Sequence, residues 1–259
     1  MVTKNGLRNK LTTMAKLFNK IRRQLVSEQS SARRTSNYLK YAIGEIFLVV
    51  IGILIAVAIN NWREQQKENV LELTILGQIN DRLVTDSLTI QEMVGFLLDL
   101  HNVAVDLKTY MKEAKPYTDT LSASFSRISY FPVYRPDQTP YDRLRDAGID
   151  IVKNDSLRNL IPTYFMDIAR IANVYENYPL SEYFRNIIYP KYFKSFSWNP
   201  KEGCEPKDYK ALKKADDFFV ALDYVINDTR FYRGTYLRGA KQNAYLLDVL
   251  RKELKKREK

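Results

Sequence analysis

The chain has 259 residues, 45% of them apolar and 27% charged, with a net charge of +11. It holds one cysteine and one histidine, which excludes an intramolecular disulfide and a zinc site of three or four His/Cys ligands. A chain of this size buries enough apolar surface to stand without such staples.

Residues 1–40 carry ten Lys/Arg and one acid, Glu28, so +9 of the net charge sits there. Residues 63–259 are nearly balanced at +3. The pI near 9.5 is therefore a property of the arm. Basic residues beside anionic lipid gain roughly 1 kcal/mol each, so the excess reads as membrane attraction and no nucleic-acid partner is expected. From Met14, MAKLFNKIRRQLVSE places Leu17, Phe18, Ile21 and Leu25 at helical spacing. Two readings stand: an amphipathic helix on the inner leaflet, or a disordered basic arm that only sets topology. Met14 is also an alternative start.

Residues 42–59 read AIGEIFLVVIGILIAVAI, eighteen residues with one charge, Glu45. A helix of that length spans about 27 Å, the hydrocarbon thickness of a bilayer. Positive charge before a span stays cytoplasmic. The expected layout is a cytoplasmic arm (1–40), a transmembrane helix (41–62) and a periplasmic helical domain (63–259). Tyr38, Tyr41 and Trp62 stand at the boundaries, where interface aromatics belong. Ala56-Val57-Ala58 offers a competing account, a signal-peptide cleavage site yielding a secreted domain that starts at Ile59. The long basic region, the long apolar run and the position of the pattern inside that run favour the anchor.

Gly52 and Ala56 form a small-xxx-small pair, and Glu45, seven residues earlier, lies on the same face. One reading is a helix dimer face with Glu45 hydrogen-bonded across it. The other is that Glu45 snorkels to the headgroups beside Lys40 and the small residues are incidental.

Residues 65–114 contain no proline. Leu76, Leu83, Ile90, Leu97, Ala104 and Met111 repeat every seven residues, joined by Ile79, Met93, Leu100 and Leu107, with Asp86 the one break. Such a seam pairs with another chain in a coiled coil or packs inside a bundle. The bundle is preferred, because the later helices need a partner. A helix running straight on through Asn60 and Asn61 would join span and domain.

Residues 115–140 hold four prolines and a serine- and aromatic-rich stretch, which predicts a long loop or short hairpin. Thr139 is expected to cap a short helix with Pro140 at its first position, ended by Gly148 in a left-handed turn. Ile149, Ile151 and Val152 form a buried link. Asn154 or Asp155 caps the next helix, with Leu157, Leu160, Ile161, Tyr164, Phe165, Ile168, Ile171, Ala172 and Tyr175 on one face and a kink at Pro162. An aromatic segment, 180–196, is interrupted by Pro190. Two helices follow, 207–227 and 229–257. Their stripes are Leu212, Ala215, Phe219, Leu222, Ile226 and Leu237, Ala240, Ala244, Leu247, Leu250, Leu254. A frayed, charged end closes the chain.

No chemistry stands out. His101, at a flank of the seam, reads as a packed side chain, and Cys204, in NPKEGCEP, as a free surface thiol. No serine sits in a G-x-S-x-G elbow, and there is no P-loop or G-x-G-x-x-G. Asp216-Asp217 and the pair Asp146 and Asp150 read as solvated. Asn154-Asp155-Ser156 and Asn227-Asp228-Thr229 match glycosylation sequons but read better as helix caps or breaks. The tyrosines and phenylalanines of 117–198 read as a core rim, with a ligand groove as the alternative. No catalytic, cofactor-binding or metal-ligating residue is assigned.

The string YAIGEIFLVVIGILIAVAINNW, preceded by KLFNKIRRQL, resembles a large family of single-span Gram-negative bacterial proteins of unknown function. Pro140, Tyr141, Leu144 and Gly148, then Ile151, Asn154, Leu157, Arg158 and Tyr164, are similar to its middle part. The resemblance implies an uncleaved inner-membrane anchor and leaves the activity open. The expectation is all-α: one N-terminal transmembrane helix, a long helix and a helical bundle. The leading role is a non-enzymatic binding or scaffold module, homodimeric through the span and the long helix. A ligand-sensing domain using 117–198 is the runner-up. The partners expected are the bilayer, a second copy, and a protein or small molecule of unknown kind.

Overall fold

A computed structural model describes residues 34–113, 115–176, 179–199 and 202–257, without the side chains of 34–40 and 174–176. The arm 1–33, with Met14 and its amphipathic run, lies outside the described residues. So do the side chains of Tyr38, Lys40 and Tyr175, and residues 258–259.

The described residues are all-α. They form α1 (Arg34–Lys112), α2 (Asp119–Arg127), α3 (Thr139–Ala147), a 3-10 turn (Ile149–Ile151) and α4 (Asp155–Glu176). Then come α5 (Pro179–Tyr183), a π-helical stretch (Phe184–Ile188), α6 (Tyr189–Tyr192), α7 (Tyr209–Leu212) and α8 (Asp216–Arg257). Two compact units divide the chain, 1–66 and 67–259.

In the first unit α1 is apolar on every side. One helix of the described residues is long and apolar enough to cross a membrane, with an eighteen-residue window of mean hydropathy 2.8, none of it buried. Ile46, Phe47, Ile53, Leu54 and Trp62 are exposed.

In the second unit the heptad seam does its expected work inside the chain. Leu76, Ile79, Leu83, Ile90, Leu97, Leu100, Ala104, Leu107 and Met111 are all buried. Each buried leucine or isoleucine contributes about 1.5–3 kcal/mol. α8 runs antiparallel along this part of α1. Arg257 meets Glu72, Arg251 meets Asn80, Asn243 meets Leu83, and Lys108 meets Asp223. Two cores result. One joins the 75–97 stretch of α1 to α4 and the later half of α8. The other joins the 100–111 stretch to α2, the π-helical stretch, α6 and the start of α8. The seam's apolar partners are therefore the chain's own helices, and a coiled coil with a second chain has no seam left to use.

Several expectations need correction. The region 115–140 is not a loop throughout. α2 occupies Asp119–Arg127 and buries Leu121 and Phe125. Serine-rich segments favour local turns in isolation, and here the tertiary core outweighs that preference. Thr139 is the first residue of α3 and not its cap; Gln138 holds the N-cap position without a side-chain cap bond, and Pro140 is the second residue of the helix, one later than expected. Gly148 ends α3 with a φ of 91°. Asn154 caps α4, its Oδ1 accepting from the Ser156 and Leu157 amides at 3.0 and 3.2 Å.

The two expected C-terminal helices largely merge into α8, 42 residues long from Asp216, while the start of the first is the separate short helix α7. Asn227-Asp228-Thr229 does not break α8. Thr229 is buried and its Oγ1 donates to the Val225 carbonyl at 2.7 Å, satisfying itself within the helix. The end does not fray before Arg257, whose guanidinium reaches Glu72 at 3.1 Å and Glu253 at 2.7 Å.

Candidate functional site

Glu45, Gly52 and Ala56 fall on one side of α1, within about 40° of each other at 100° per residue. All three are exposed, and a Cβ added at Gly44 or Gly52 would meet no atom within 4 Å. The face is open and narrow, the shape that lets a second helix approach closely.

The strongest polar cluster was not legible as a site. Asp86, the break in the seam, is fully buried. One carboxylate oxygen accepts from the Arg82 guanidinium and the Tyr134 hydroxyl. The other accepts from the Tyr164 hydroxyl at 2.8 Å. Asn243 on α8 donates to Tyr164 Oη and to the Leu83 carbonyl, both at 3.0 Å. Burial first, and then Asp86 through its hydrogen bond to Tyr134 and its charge beside Tyr164, pushes both tyrosines well above the ordinary phenol value, so both remain protonated donors. Buried polar groups are tolerated only when satisfied, and this cluster spends its donors on one carboxylate. It fixes the register of α1, α4, α8 and the 134 loop against one another.

A second buried acid, Glu72, accepts from the Lys153 backbone amide at 2.8 Å and from Arg257. Glu253 accepts from Asn154 at 3.0 Å and from Arg257 at 2.7 Å. The Asn154 hydrogen bond first, then Arg257, holds the Glu253 carboxyl below its usual range. The last turn of α8 is thus locked to the first turn of the second unit and to the cap of α4. Charge-assisted bonds of this kind are the strong ones.

His101 is half-buried. Its Nδ1 lies 3.0 Å from the Ile226 carbonyl and 3.2 Å from Thr229 Oγ1. The carbonyl fixes the tautomer with the proton on Nδ1. The ring packs α1 against α8, as expected of a side chain at the flank of the seam.

Cys204 is the clear correction. It is buried with no exposed surface, not a surface thiol, and burial pushes its thiol up to about 11. Gly203 explains this. Its φ is +55°, and its α-carbon lies so close to α2 that an added Cβ would sit 2.3 Å from Ser122 Oγ. The Cys204 amide then donates to the Ser122 carbonyl at 2.9 Å, drawing the thiol into the second core.

Asp217 is not simply solvated either. Burial opposes its ionisation, but Lys191, Tyr192 and the Phe218 amide together outweigh it and hold the carboxyl low. Asp146 and Asp150 are exposed, as expected. Among the described residues no group of three or more His, Cys, Asp or Glu is placed to hold a metal.

The aromatic region does contain a cavity, of about 460 Å³. Tyr189 and Phe193 form its floor, Phe196 and Trp198 one wall, and Arg185 and Lys194 the polar edge. The Tyr189 hydroxyl donates to the Phe125 carbonyl at 2.8 Å and lies 2.7 Å from Ser129 Oγ, so the floor is rigid. Phe196 meets Trp198 edge-on, with centroids 4.6 Å apart, and Trp198 meets Tyr130 at 5.4 Å. The wall is carried by a loop that begins and ends at an antiparallel bridge between Phe193 and Pro206. Its volume is in the range of small-molecule pockets. A smaller cavity of about 350 Å³ lies between α4 and α8, with Ile171, Phe231 and Gln242 in its lining.

A model of the family described as "Family of unknown function (DUF6090)" matches residues 45–201, more than half of the chain. Nothing among the curated proteins matches the chain, and no solved structure does.

Proposed function

We propose that this chain, which belongs to the DUF6090 family of unknown function, is a single-pass membrane protein whose helical domain is a non-enzymatic binding module. The observation that carries the reading is the apolar, wholly exposed part of α1. Its burial requires roughly 30 Å of hydrocarbon. The +9 charge of residues 1–40 supports a cytoplasmic N-terminus and a domain on the far side of a Gram-negative inner membrane.

The module dimerises through the Glu45–Gly52–Ala56 face alone, since the heptad seam is occupied from within. Disulfide crosslinking in native membranes tests this. Gly52→Cys gives a covalent dimer, and Leu54→Cys, on the opposite side of the helix, gives none. Cys204 stays silent because it is buried. Equal crosslinking at both positions, or none at either, overturns the dimer.

The cavity in 117–198 favours a second reading, in which the binding module senses a small ligand. A shift in melting temperature with metabolite extracts supports it, and no shift across broad extracts counts against it.

A further inference from the structure

We infer that the cavity beside the π-helical stretch binds a small monocarboxylate carried on a ring, held by Arg185 at its charged end and by Trp198 and Phe196 along its flat face. The inference rests on the sensing reading above and assigns its ligand class.

The charge of the cavity is one-sided. Its lining holds two cations, Arg185 and Lys194, with hydroxyl and aromatic side chains and no carboxylate. The two cations are not equivalent. Lys194 is balanced by Glu205 at 2.7 Å. Among the described residues no carboxylate is paired with Arg185. One uncompensated guanidinium matches one negative charge, and its planar fork matches a carboxylate through two parallel hydrogen bonds.

The backbone beneath Arg185 is unusual. Phe184–Ile188 is a π-helical stretch in which Phe184 and Ile188 are both buried. A π segment is rare, and such segments recur at functional sites. Here the two buried residues anchor the stretch in the second core, while Arg185 between them is exposed at the cavity edge.

The other wall is apolar and exposed. Trp198 is 52% exposed and Phe196 39%, although both belong to a ladder of packed rings running through Tyr189 to Phe193. Large aromatics held rigidly yet left accessible are stacking platforms rather than core. On either side of Trp198, Ser197 Oγ and Asn199 Nδ2 both donate to the Glu202 carboxylate, at 2.8 and 3.0 Å, and side chains held in place before binding lower its ordering cost.

Two sources supply this chemistry, aromatic acids and uronic sugars, since an aromatic ring and the C–H face of a pyranose both stack on indole. Phenylacetate and glucuronate are titrated into the full-length protein in detergent, with tryptophan fluorescence and melting temperature as readouts. The neutral amide of phenylacetate is the control. Saturable quenching by one of the two acids, with affinity weakened about tenfold or more in Arg185→Gln and little binding of the amide, supports the assignment. The acid that responds identifies the source. Binding of the amide as tight as that of the acid, or an unchanged affinity in Arg185→Gln, overturns the carboxylate while leaving a ligand cavity in place. No response to either acid overturns this inference; if metabolite extracts also leave the melting temperature unchanged, the sensing reading falls with it. Arg185 is exposed, so Arg185→Gln leaves the melting temperature of the free protein unchanged.

Discussion

Asp86→Ala lowers the unfolding free energy of the 67–259 unit by about 3–5 kcal/mol, the usual cost of removing one partner from a buried ion pair. The substitution strands the Arg82 guanidinium and takes the acceptor from two buried hydroxyls, Tyr134 and Tyr164. Neither tyrosine has the option of ionising, since burial and Asp86 already hold both phenols protonated. For a unit of this size the loss corresponds to a fall of roughly 10 °C in melting temperature. Asp86→Asn keeps one acceptor oxygen in place and loses less. Thermal unfolding followed by circular dichroism measures both. A fall within about 1 °C for Asp86→Ala would mean that the cluster is hydrated and adds nothing to the packing of α1 on α4 and α8.

Gly203→Ala comes second, at about 3 kcal/mol. A φ of +55° alone costs an L-residue about 1–2 kcal/mol. The new methyl would also stand 2.4 and 2.5 Å from the Ser122 carbonyl carbon and oxygen. Those are backbone atoms of α2 and cannot swing aside, so a further overpacking cost of about 1–3 kcal/mol applies. Gly148→Ala is the useful contrast. Its φ is also positive, but an added Cβ there meets open space, so only the strain is felt. The readouts are melting temperature and thiol reactivity. In wild type Cys204 is buried and its thiol is pushed up to about 11, so it is inert at neutral pH. Gly203→Ala loosens the turn and exposes it to a thiol reagent. Equal stability of the two alanine variants would contradict the close approach to Ser122.

The two substitutions mark where sequence reasoning reached and where it stopped. The long helix was legible because its core positions are apolar at a fixed period. Asp86 occupies one of those positions and looked like a break, because a charge at a seam position signals burial only when its partners are known. Those partners lie on other elements, Tyr134 in a loop, Tyr164 on α4 and Asn243 on α8. The same limit displaced the face of α8. Counting only apolar residues selects Leu237, Ala240, Ala244, Leu247, Leu250 and Leu254. Leu250 is buried as expected, but the rest of the buried side is Tyr236, Gly239, Asn243, Leu246 and Glu253, one residue earlier, because a tyrosine, a glycine, an asparagine and a glutamate belong to it.

Sequence reading found the aromatic region but not its geometry. The π-helical stretch has no compositional signature, and the burial of Cys204 follows from a glycine whose role appears only once α2 is seen beside it. The face formed by Glu45, Gly52 and Ala56 follows from helical periodicity alone, so the structure adds only that it is open.

The central claim is that the apolar part of α1 anchors the domain to a membrane. Intact mass and protease accessibility in spheroplast membranes test it most directly. The account predicts a full-length mass that stays with the washed membrane, and a domain from about residue 63 onward that external protease removes. A soluble product beginning at Ile59 would contradict it and make residues 1–58 a cleaved signal.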